Sequence, residues 1–351
     1  MARVALTDDV ELDLGVPVAH HPPSPLALTA AEVGALPRPA REARLDELIA
    51  DTDRIYNEGL AEHVDADGRA VAGVVGLFSG GNDSTVMAHL FRSRLTHLGH
   101  AHTGIGIEAT RAFVRETAAA WSIELLERRA PRLEDQYRAL VLDPAVDVDD
   151  AGVAWPRGGF PGPRLHWKMY QRLKLRAIEL MQAELVAGRG RTHRVVFLAG
   201  RRRDESSNRS DVVEHERRRS RVWISPMVHW TKLDLNTYRL RAAAAGDPVP
   251  VNGVTALIHM SGECLCGAYA NVGERAQLDE WFPDDLSLIR ELEHELATNP
   301  ALAHIPAHRR TWGWAGIPEL AAASRLYDAG ELTPHAGGLC GSCAPNDEAL
   351  F

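Results

Sequence analysis

Six consecutive residues at positions 79–84 bring hydroxyls, glycines and a carboxylate together in the order Ser-Gly-Gly-Asn-Asp-Ser. They follow the apolar run 72–78 and precede a helical pattern of apolar residues, so they are predicted to join a strand to a helix. Glycines let the backbone approach a phosphate, and the first N–H groups of a helix attract its negative charge. The candidate phosphate-binding residues are Ser79, Gly80, Gly81, Asn82, Asp83 and Ser84.

A plain strand-to-helix turn is the alternative interpretation of this segment. In that case Asp83 or Ser84 would cap the helix and no ligand would be involved. A turn needs fewer glycines than the segment contains, so phosphate binding is favoured. The segment is not a Walker loop, because the lysine that such a loop requires does not follow.

The elements that position this segment alternate between strands and helices. Strands are predicted at 71–78, 97–103, 122–127 and 195–199, and helices near 84–95, 108–121, 133–142 and 165–185. This order favours an α/β fold with a parallel sheet covered on both faces and ligands at the carboxyl ends of its strands. The long connection 143–164 is predicted to be irregular.

The chain is predicted to have three parts. Residues 1–65 form an N-terminal extended arm, to about residue 40, and then a helix over 41–63. Residues 66–262 form the nucleotide-binding α/β domain. Residues 263–351 form a helical, cysteine-bearing extension with helices near 274–297 and 317–329.

Size and charge limit the classes of function. A chain of 351 residues can bury a large core, and its net charge of −9 argues against a generally basic nucleic-acid-binding coat. No apolar run is long enough to span a bilayer and the N-terminus lacks the apolar core of a signal peptide, so a cytoplasmic protein is expected. The oligomeric state cannot be predicted. Eight arginines nevertheless crowd one region and are predicted to form a phosphate-handling surface: Arg201, Arg202, Arg203, Arg209, Arg217, Arg218, Arg219 and Arg221.

Four cysteines occur as two close pairs, Cys264 with Cys266 and Cys340 with Cys343. Paired cysteines in a cytosolic protein indicate metal or redox chemistry more often than structural disulfides. Three interpretations remain, in order of preference: a shared [4Fe–4S] cluster, a four-cysteine Zn²⁺ site, and free or catalytic thiols.

The hexapeptide resembles the PP-loop of the ATP pyrophosphatase superfamily, and four further segments in the expected order extend the resemblance to its phosphoadenosine phosphosulfate reductase-like branch. They are residues 102–108, 200–209, 223–238 and 261–267. The resemblance covers roughly residues 71–267 and implies the adenine nucleotide α-hydrolase-like fold.

The resemblance also implies further nucleotide-binding residues. Thr103 and Gly104 would contact the adenosine end of the nucleotide, although His102 replaces the aspartate usual in this branch. Gly200, Arg202, Glu205 and Arg209 match the family's arginine motif, and their guanidinium groups suit phosphate oxygens. Glu205 could orient an arginine. In the 223–238 segment, Thr231 or Asp234 could cap the following helix. Trp230 and Tyr238 are expected to be core or wall residues and not to take part in the chemistry.

The closest resemblance within the branch is to the sulfur-transfer ATPases of DNA phosphorothioation systems. The loop is intact, whereas reductases of the branch tend to carry a degraded loop and a catalytic cysteine in a C-terminal tail motif that this chain lacks. The resemblance implies that ATP adenylates an acceptor, that pyrophosphate leaves and that a sulfur donor then displaces AMP. Asp83, Ser84 and Arg202 are the implied catalytic residues, with Mg²⁺ at Asp83.

The implied partners are ATP, a sulfur donor such as a cysteine desulfurase, and a DNA or RNA acceptor, with no membrane. A small metabolite stays open as the acceptor. Two alternatives also stay open. One is a reductase that releases sulfite from phosphoadenosine phosphosulfate or adenylyl sulfate, and the other is a subunit that senses a nucleotide without turnover.

Overall fold

The computed structural model describes residues 24–131, 133–148, 152, 154–205, 209–270 and 273–317. It begins with helix α1 (Ala30–Ala35) and the long helix α2 (Arg38–Leu60), which continues as one wider π-helical turn (Ala61–Asp65). The prediction of an extended arm to about residue 40 is therefore wrong beyond residue 29. Thr29 and Glu32 form a capping box for α1, and the prolines around residue 38 are tolerated in the first turn of α2.

Strands and helices then alternate as predicted. The first half contains β1 (Ala70–Leu77), α3 (Asn82–Phe91), β2 (His97–His102), α4 (Glu108–Ala120), β3 (Glu124–Arg129) and α5 (Leu133–Val141). The connection predicted to be irregular instead contains a short antiparallel pair, β4 (Val146–Val148) and β5 (Ala154–Pro156). Helix α6 (His166–Tyr170) leads through a π-helical stretch (Gln171–Leu175) into α7 (Arg176–Val186), so the predicted long helix is confirmed.

The second half contains β6 (His193–Leu198), then β7 (His215–Arg218) and β8 (Arg221–Ile224), which the sequence analysis missed. Helices α8 (Lys232–Ala244), α9 (Gly253–Ile258), α10 (Glu274–Trp281) and α11 (Ser287–Thr298) follow. The single helical pattern near 274–297 is thus two helices. The helix predicted at 317–329 lies outside the described residues, except for its first position.

Six strands form one sheet in the order β3-β2-β1-β6-β8-β7. All neighbouring pairs are parallel except β7 with β8, which form an antiparallel hairpin at the edge. The chain adds strands on one side of β1 as far as β3 and then crosses to the other side with β6. The sheet therefore reverses its direction of growth between β1 and β6, where ligands bind in open parallel sheets.

Both faces of the sheet are covered, as buried parallel strands require. One face packs on α2, α3, α4 and α8, with Leu45, Met87, Val114 and Leu235 in a shared core. The other face packs mainly on α7 through residues such as Met181 against Phe197. Because neighbouring β1 residues Val74 and Val75 point into different cores, the strand is apolar without alternation.

A third core joins the C-terminal helices to the α/β domain. It contains Tyr137 from α5, Leu173, Leu278 from α10 and Leu292 from α11, with Trp312 beyond them. Cys266 is part of this core. Within the part of the chain that the structure describes, no helix combines the length and apolar character needed to cross a membrane.

Candidate nucleotide site at the carboxyl edge of the sheet

The 79–84 segment, called the loop below, runs from the end of β1 into the first turn of α3, at the point where the sheet reverses. Ser79 and Ser84 share a hydrogen bond between their hydroxyls (3.0 Å), and the Ser84 hydroxyl also reaches the Gly81 carbonyl (3.0 Å). The Ser79 N–H donates to Ser84 Oγ (3.3 Å). The two hydroxyls thus fix the shape of the loop before any ligand is present.

Helix α3 begins at Asn82, with Gly81 in the capping position and no side-chain cap. The suggestion that Asp83 or Ser84 caps this helix is therefore wrong. The first helical hydrogen bond is donated by Thr85 to Gly81 (3.0 Å), and within the described residues no partner accepts from the backbone N–H groups of Asn82, Asp83 or Ser84. Three unsatisfied donors at the positive end of a helix form an anion site.

The glycines allow neighbouring segments to approach the loop. Gly80 has a φ of +76°, which favours glycine, and its carbonyl accepts from the Asn252 side-chain amide (3.0 Å). Gly200, just after β6, lies so close that an added Cβ would be 2.9 Å from the backbone carbonyl of Asp83. The loop and the start of the arginine motif are therefore in direct backbone contact.

An ion pair joins the same two segments. Arg202 is completely buried, and its Nε donates to Asp83 Oδ2 (2.8 Å) while the Asp83 side chain is 25% exposed. Asp204 lies 3.7 Å from the same guanidinium group. Because a buried arginine needs a negative partner, this contact fixes the Asp83 carboxylate in the loop.

The remainder of the arginine motif, residues 200–209, contains a second ion pair. Arg209 donates to Glu205, which is the arrangement expected of a carboxylate that orients an arginine. The residues between them, 206–208, lie outside the described part of the chain.

The eight arginines do not form one surface, so that prediction is wrong. Arg201 stacks over Trp223, and Arg203 contacts the Val212 carbonyl and His229. The others, apart from Arg202 and Arg209, lie at the turn of the β7–β8 hairpin. Since β8 starts at Arg221 and runs parallel to β6, that turn is at the amino edge of the sheet, opposite the loop.

Residues 102–104, at the end of β2 and just after it, form another wall of the candidate nucleotide site. Thr103 is buried and its hydroxyl donates to the Glu263 carbonyl (2.6 Å), while Gly104 has a φ of +76°. His102 Nδ1 accepts from the Gly104 N–H (2.9 Å), and burial, followed by the nearby Arg111, lowers the pKa of His102. The imidazole of His102 thus holds the turn at Gly104.

This wall is tied to the first cysteine pair. The Leu265 N–H donates to the Ile105 carbonyl and the Ile107 N–H to the Gly262 carbonyl, both at 2.8 Å. Glu263 is buried and accepts from Lys174 Nζ (2.6 Å). Burial alone would lower the pKa of Lys174, but the Glu263 carboxylate outweighs it, so the pKa lies above its usual range.

Cys264 and Cys266 are both free thiols. Interaction with the Cys266 thiol, followed by burial, raises the pKa of Cys264, and the same interaction lowers the pKa of Cys266. Among the described residues, neither thiol belongs to a group of three potential metal ligands. Cys340 and Cys343 lie outside the described residues, so the predicted convergence of the two pairs stays a prediction.

Several contacting residues escaped the sequence analysis. Asn252 caps α9 through its Oδ1 and contacts Gly80 through its amide, and its position just before Gly253 at a helix start was an available signal. Arg239 on α8 donates to Asn82 Oδ1 (2.8 Å), and burial lowers the pKa of Arg239. No local signal connects Arg239 or Lys174 to this site, because each reaches it only through tertiary packing.

The sequence model of the phosphoadenosine phosphosulfate reductase domain matches residues 73–249, about half of the chain. The chain belongs to this family. The match runs from β1 to just beyond α8, so it includes the loop and the arginine motif but neither cysteine pair. The largely parallel sheet with the loop after β1 is the adenine nucleotide α-hydrolase-like fold expected from the resemblance.

Among solved structures, the chain is similar to phosphoadenylyl-sulfate (PAPS) reductase from Candida auris, described as a phosphate complex. The identity is 15%, the likeness covers 61% of this chain and 91% of that chain, and the TM-score is 0.36. No curated protein matches the sequence.

Proposed function

We propose that this protein is an ATP pyrophosphatase that transfers AMP to an acceptor in preparation for sulfur incorporation. The observation that carries the proposal is the intact loop, whose three unsatisfied helix N–H groups lie beside the Asp83–Arg202 ion pair. This arrangement suits a phosphate chain better than a neutral ligand, because it supplies directed donors together with the helix dipole.

In the proposed reaction an acceptor oxygen attacks the α-phosphorus of ATP. The bond between that phosphorus and the oxygen bridging to the β-phosphate breaks, and its electron pair leaves with pyrophosphate. The N–H groups at the start of α3 would hold the leaving oxygens, together with the hydroxyls of Ser79 and Ser84. The terminal sulfur of a persulfide supplied by a cysteine desulfurase would then attack the adenylated DNA or RNA acceptor and displace AMP. A thiol reductant would cleave the resulting disulfide and leave the sulfur on the acceptor.

Arg202 and Asp83 would have different roles in this step. Arg202 is buried and holds Asp83 Oδ2, so it acts as a positioning residue in the described arrangement. Asp83 Oδ1 is then the oxygen that would hold Mg²⁺. When bound, the ion neutralises charge on the β- and γ-phosphates.

The cysteine pair would supply two ligands of a metal centre. Cys264 and Cys266 fit half of a four-thiolate site, and the other half would come from Cys340 and Cys343, giving a [4Fe–4S] cluster or, as the alternative, a Zn²⁺ site. Such a centre, when bound, would supply redox or sulfur-handling chemistry beside the wall formed by Thr103 and Gly104. Iron, sulfide and zinc analysis of anaerobically purified protein distinguishes the two.

A sulfonucleotide reductase is the second candidate. It is favoured by the family's own name and by two thiols in the segment that hydrogen-bonds to residues 105–107. In this reaction a thiolate would attack the sulfonyl sulfur of phosphoadenosine phosphosulfate or adenylyl sulfate, and the bond from that sulfur to the phosphate oxygen would break so that the nucleotide leaves. A thiol reductant would then attack the resulting S-sulfocysteine, form a disulfide and release sulfite.

The two candidates differ in product. The experiment supplies purified protein either with ATP, Mg²⁺ and DNA or RNA, or with phosphoadenosine phosphosulfate and a thiol reductant, and measures pyrophosphate and sulfite. The proposal expects pyrophosphate from ATP and no sulfite. Sulfite without pyrophosphate would establish the reductase, and nucleotide binding without either product would favour a sensing subunit.

A further inference from the structure

A second group of potential metal ligands lies away from the nucleotide loop, at the edge of the sheet. It consists of Glu62 and His63 on the π-helical turn after α2 and His215, the first residue of β7. Their ligand atoms all lie within 4.8 Å of one another. In the part of the chain that the structure describes, no other three Cys, His, Asp or Glu side chains meet in this way.

The geometry brings two imidazoles face to edge. His63 Nε2 is 3.0 Å from His215 Nδ1, and the ring centroids are 5.0 Å apart. The Glu62 carboxylate oxygens lie 3.7 Å from His63 Nδ1 and 3.8 Å from His215 Nδ1, which is too far for hydrogen bonds. The carboxylate thus faces both rings without satisfying either.

We propose that Glu62, His63 and His215 form a Zn²⁺ site. With bonds of about 2.0–2.1 Å in a tetrahedral site, two ligand nitrogens lie roughly 3.3–3.4 Å apart, so the imidazoles need to separate by only a few tenths of an ångström. Imidazoles with one carboxylate suit Zn²⁺ better than Mg²⁺ or Ca²⁺, which prefer oxygen ligands. Because Glu62 is 65% exposed, water can reach the fourth position.

The site would link two elements that lie far apart in the sequence. The turn after α2 holds Glu62 and His63, and His215 begins the strand that follows the arginine motif. The neighbouring Glu214 carbonyl accepts from the Ser225 N–H (2.7 Å) at the carboxyl edge of the sheet. The bound ion would therefore clamp the end of the arginine-motif connection to α2, which makes it a structural site rather than a catalytic one.

The test measures metal binding by metal-free, reduced, full-length protein. Co²⁺ is used as the spectroscopic probe and Zn²⁺ for stoichiometry, in the wild type and in His63→Asn and His215→Asn variants. His97→Asn is the matched control, because His97 is buried to a similar degree (14% exposed, against 12% for His63) and lies 3.5 Å from Glu124 without a second imidazole. Zn²⁺-dependent thermal unfolding is recorded for each protein.

The proposal expects one equivalent of Co²⁺ with visible d–d bands in addition to any that the cysteines bind, and this equivalent persists without a thiolate-to-cobalt charge-transfer band when Cys264 and Cys266 are replaced by serine. This equivalent, and the rise in unfolding temperature with Zn²⁺, are lost in both variants and kept in the control. Glu62→Gln changes an exposed side chain, so the fold persists and Zn²⁺ affinity falls roughly tenfold or more. Equal stoichiometry and spectra in all the proteins, metal binding only with the thiolate band, or no binding by the wild type would overturn the proposal and leave a simple imidazole–imidazole hydrogen bond.

Discussion

Gly200→Ala should separate the two walls of the nucleotide site. The new methyl group would lie 2.9 Å from the backbone C and O atoms of Asp83 and 3.1 Å from the backbone N of Ser84. Carbon atoms in contact normally lie about 3.5–4.0 Å apart, so the arginine motif and the loop must move apart by roughly half an ångström or more. Both neighbours are backbone, which cannot swing away as a flexible side chain can.

The displacement has a cost in stability and in function. Inserting a methyl group into a tightly packed position costs typically about 1–3 kcal/mol in the free energy of unfolding. A misplacement of about 1 Å near reacting groups can cost 10²-fold in rate, so we expect kcat/KM for pyrophosphate release to fall roughly tenfold or more. Gly200 has no positive φ, so the backbone conformation itself does not oppose alanine.

Gly190→Ala is the matched control. Its added Cβ would be 3.6 Å from the nearest atom, Ser220 Oγ, which is ordinary van der Waals contact. The control should stay within about 0.5 kcal/mol of the wild type. Urea unfolding, ATP titration calorimetry and a pyrophosphate assay compare the two variants. If Gly200→Ala matches the control in all three, the close approach of loop and motif does not constrain the site and the reasoning is refuted.

Three further predictions concern single side chains. Thr231→Ala removes one half of the capping box with Asp234 at the start of α8 and should lower the free energy of unfolding by about 1 kcal/mol in a urea titration; no change would contradict the capping role. Burial, followed by Lys174, lowers the pKa of His166 to about 4, so the unfolded state binds more protons below pH 6.5 and stability is lost as the pH falls toward 4. His166→Asn should lose less stability than the wild type over that range, and parallel pH profiles of unfolding would refute this. Asn252→Ala removes the amide from the Gly80 carbonyl and should weaken ATP binding in calorimetry; unchanged affinity would show that this contact does not shape the loop.

Individual strands, helices and caps were predictable because each depends on the residue pattern of one short segment. The apolar run before Ser79 predicted β1, and the helical spacing after it predicted α3, although α3 ends at Phe91 rather than near residue 95. Thr231, one of the two predicted caps, is the N-cap of α8. Trp230 and Tyr238 are buried as expected. By contrast, β7 and β8 are short, arginine-rich strands at the sheet edge, where charged side chains mask the strand pattern.

The candidate site was predictable only where its residues belong to a short local motif. The loop and the arginine motif each carry a local signature, and their adjacency follows from the neighbouring strands β1 and β6. The Arg202–Asp83 pair depends on residues 119 positions apart, and the Lys174–Glu263 pair on residues 89 positions apart. Arg201 and Arg203 contact Trp223 and the Val212 carbonyl inside the protein. The spacing of the arginines in the sequence alone could not indicate these contacts.

The most direct test of the account is to identify which bond of ATP the protein breaks. ATP with Mg²⁺ and nucleic acid is incubated with the wild type and with Asp83→Ala, and the nucleotide and phosphate products are separated and quantified. The account predicts AMP, free or on the acceptor, in equal amount to pyrophosphate with the wild type, and a loss of both with the variant. ADP with orthophosphate, or equal pyrophosphate release by the variant, would contradict it.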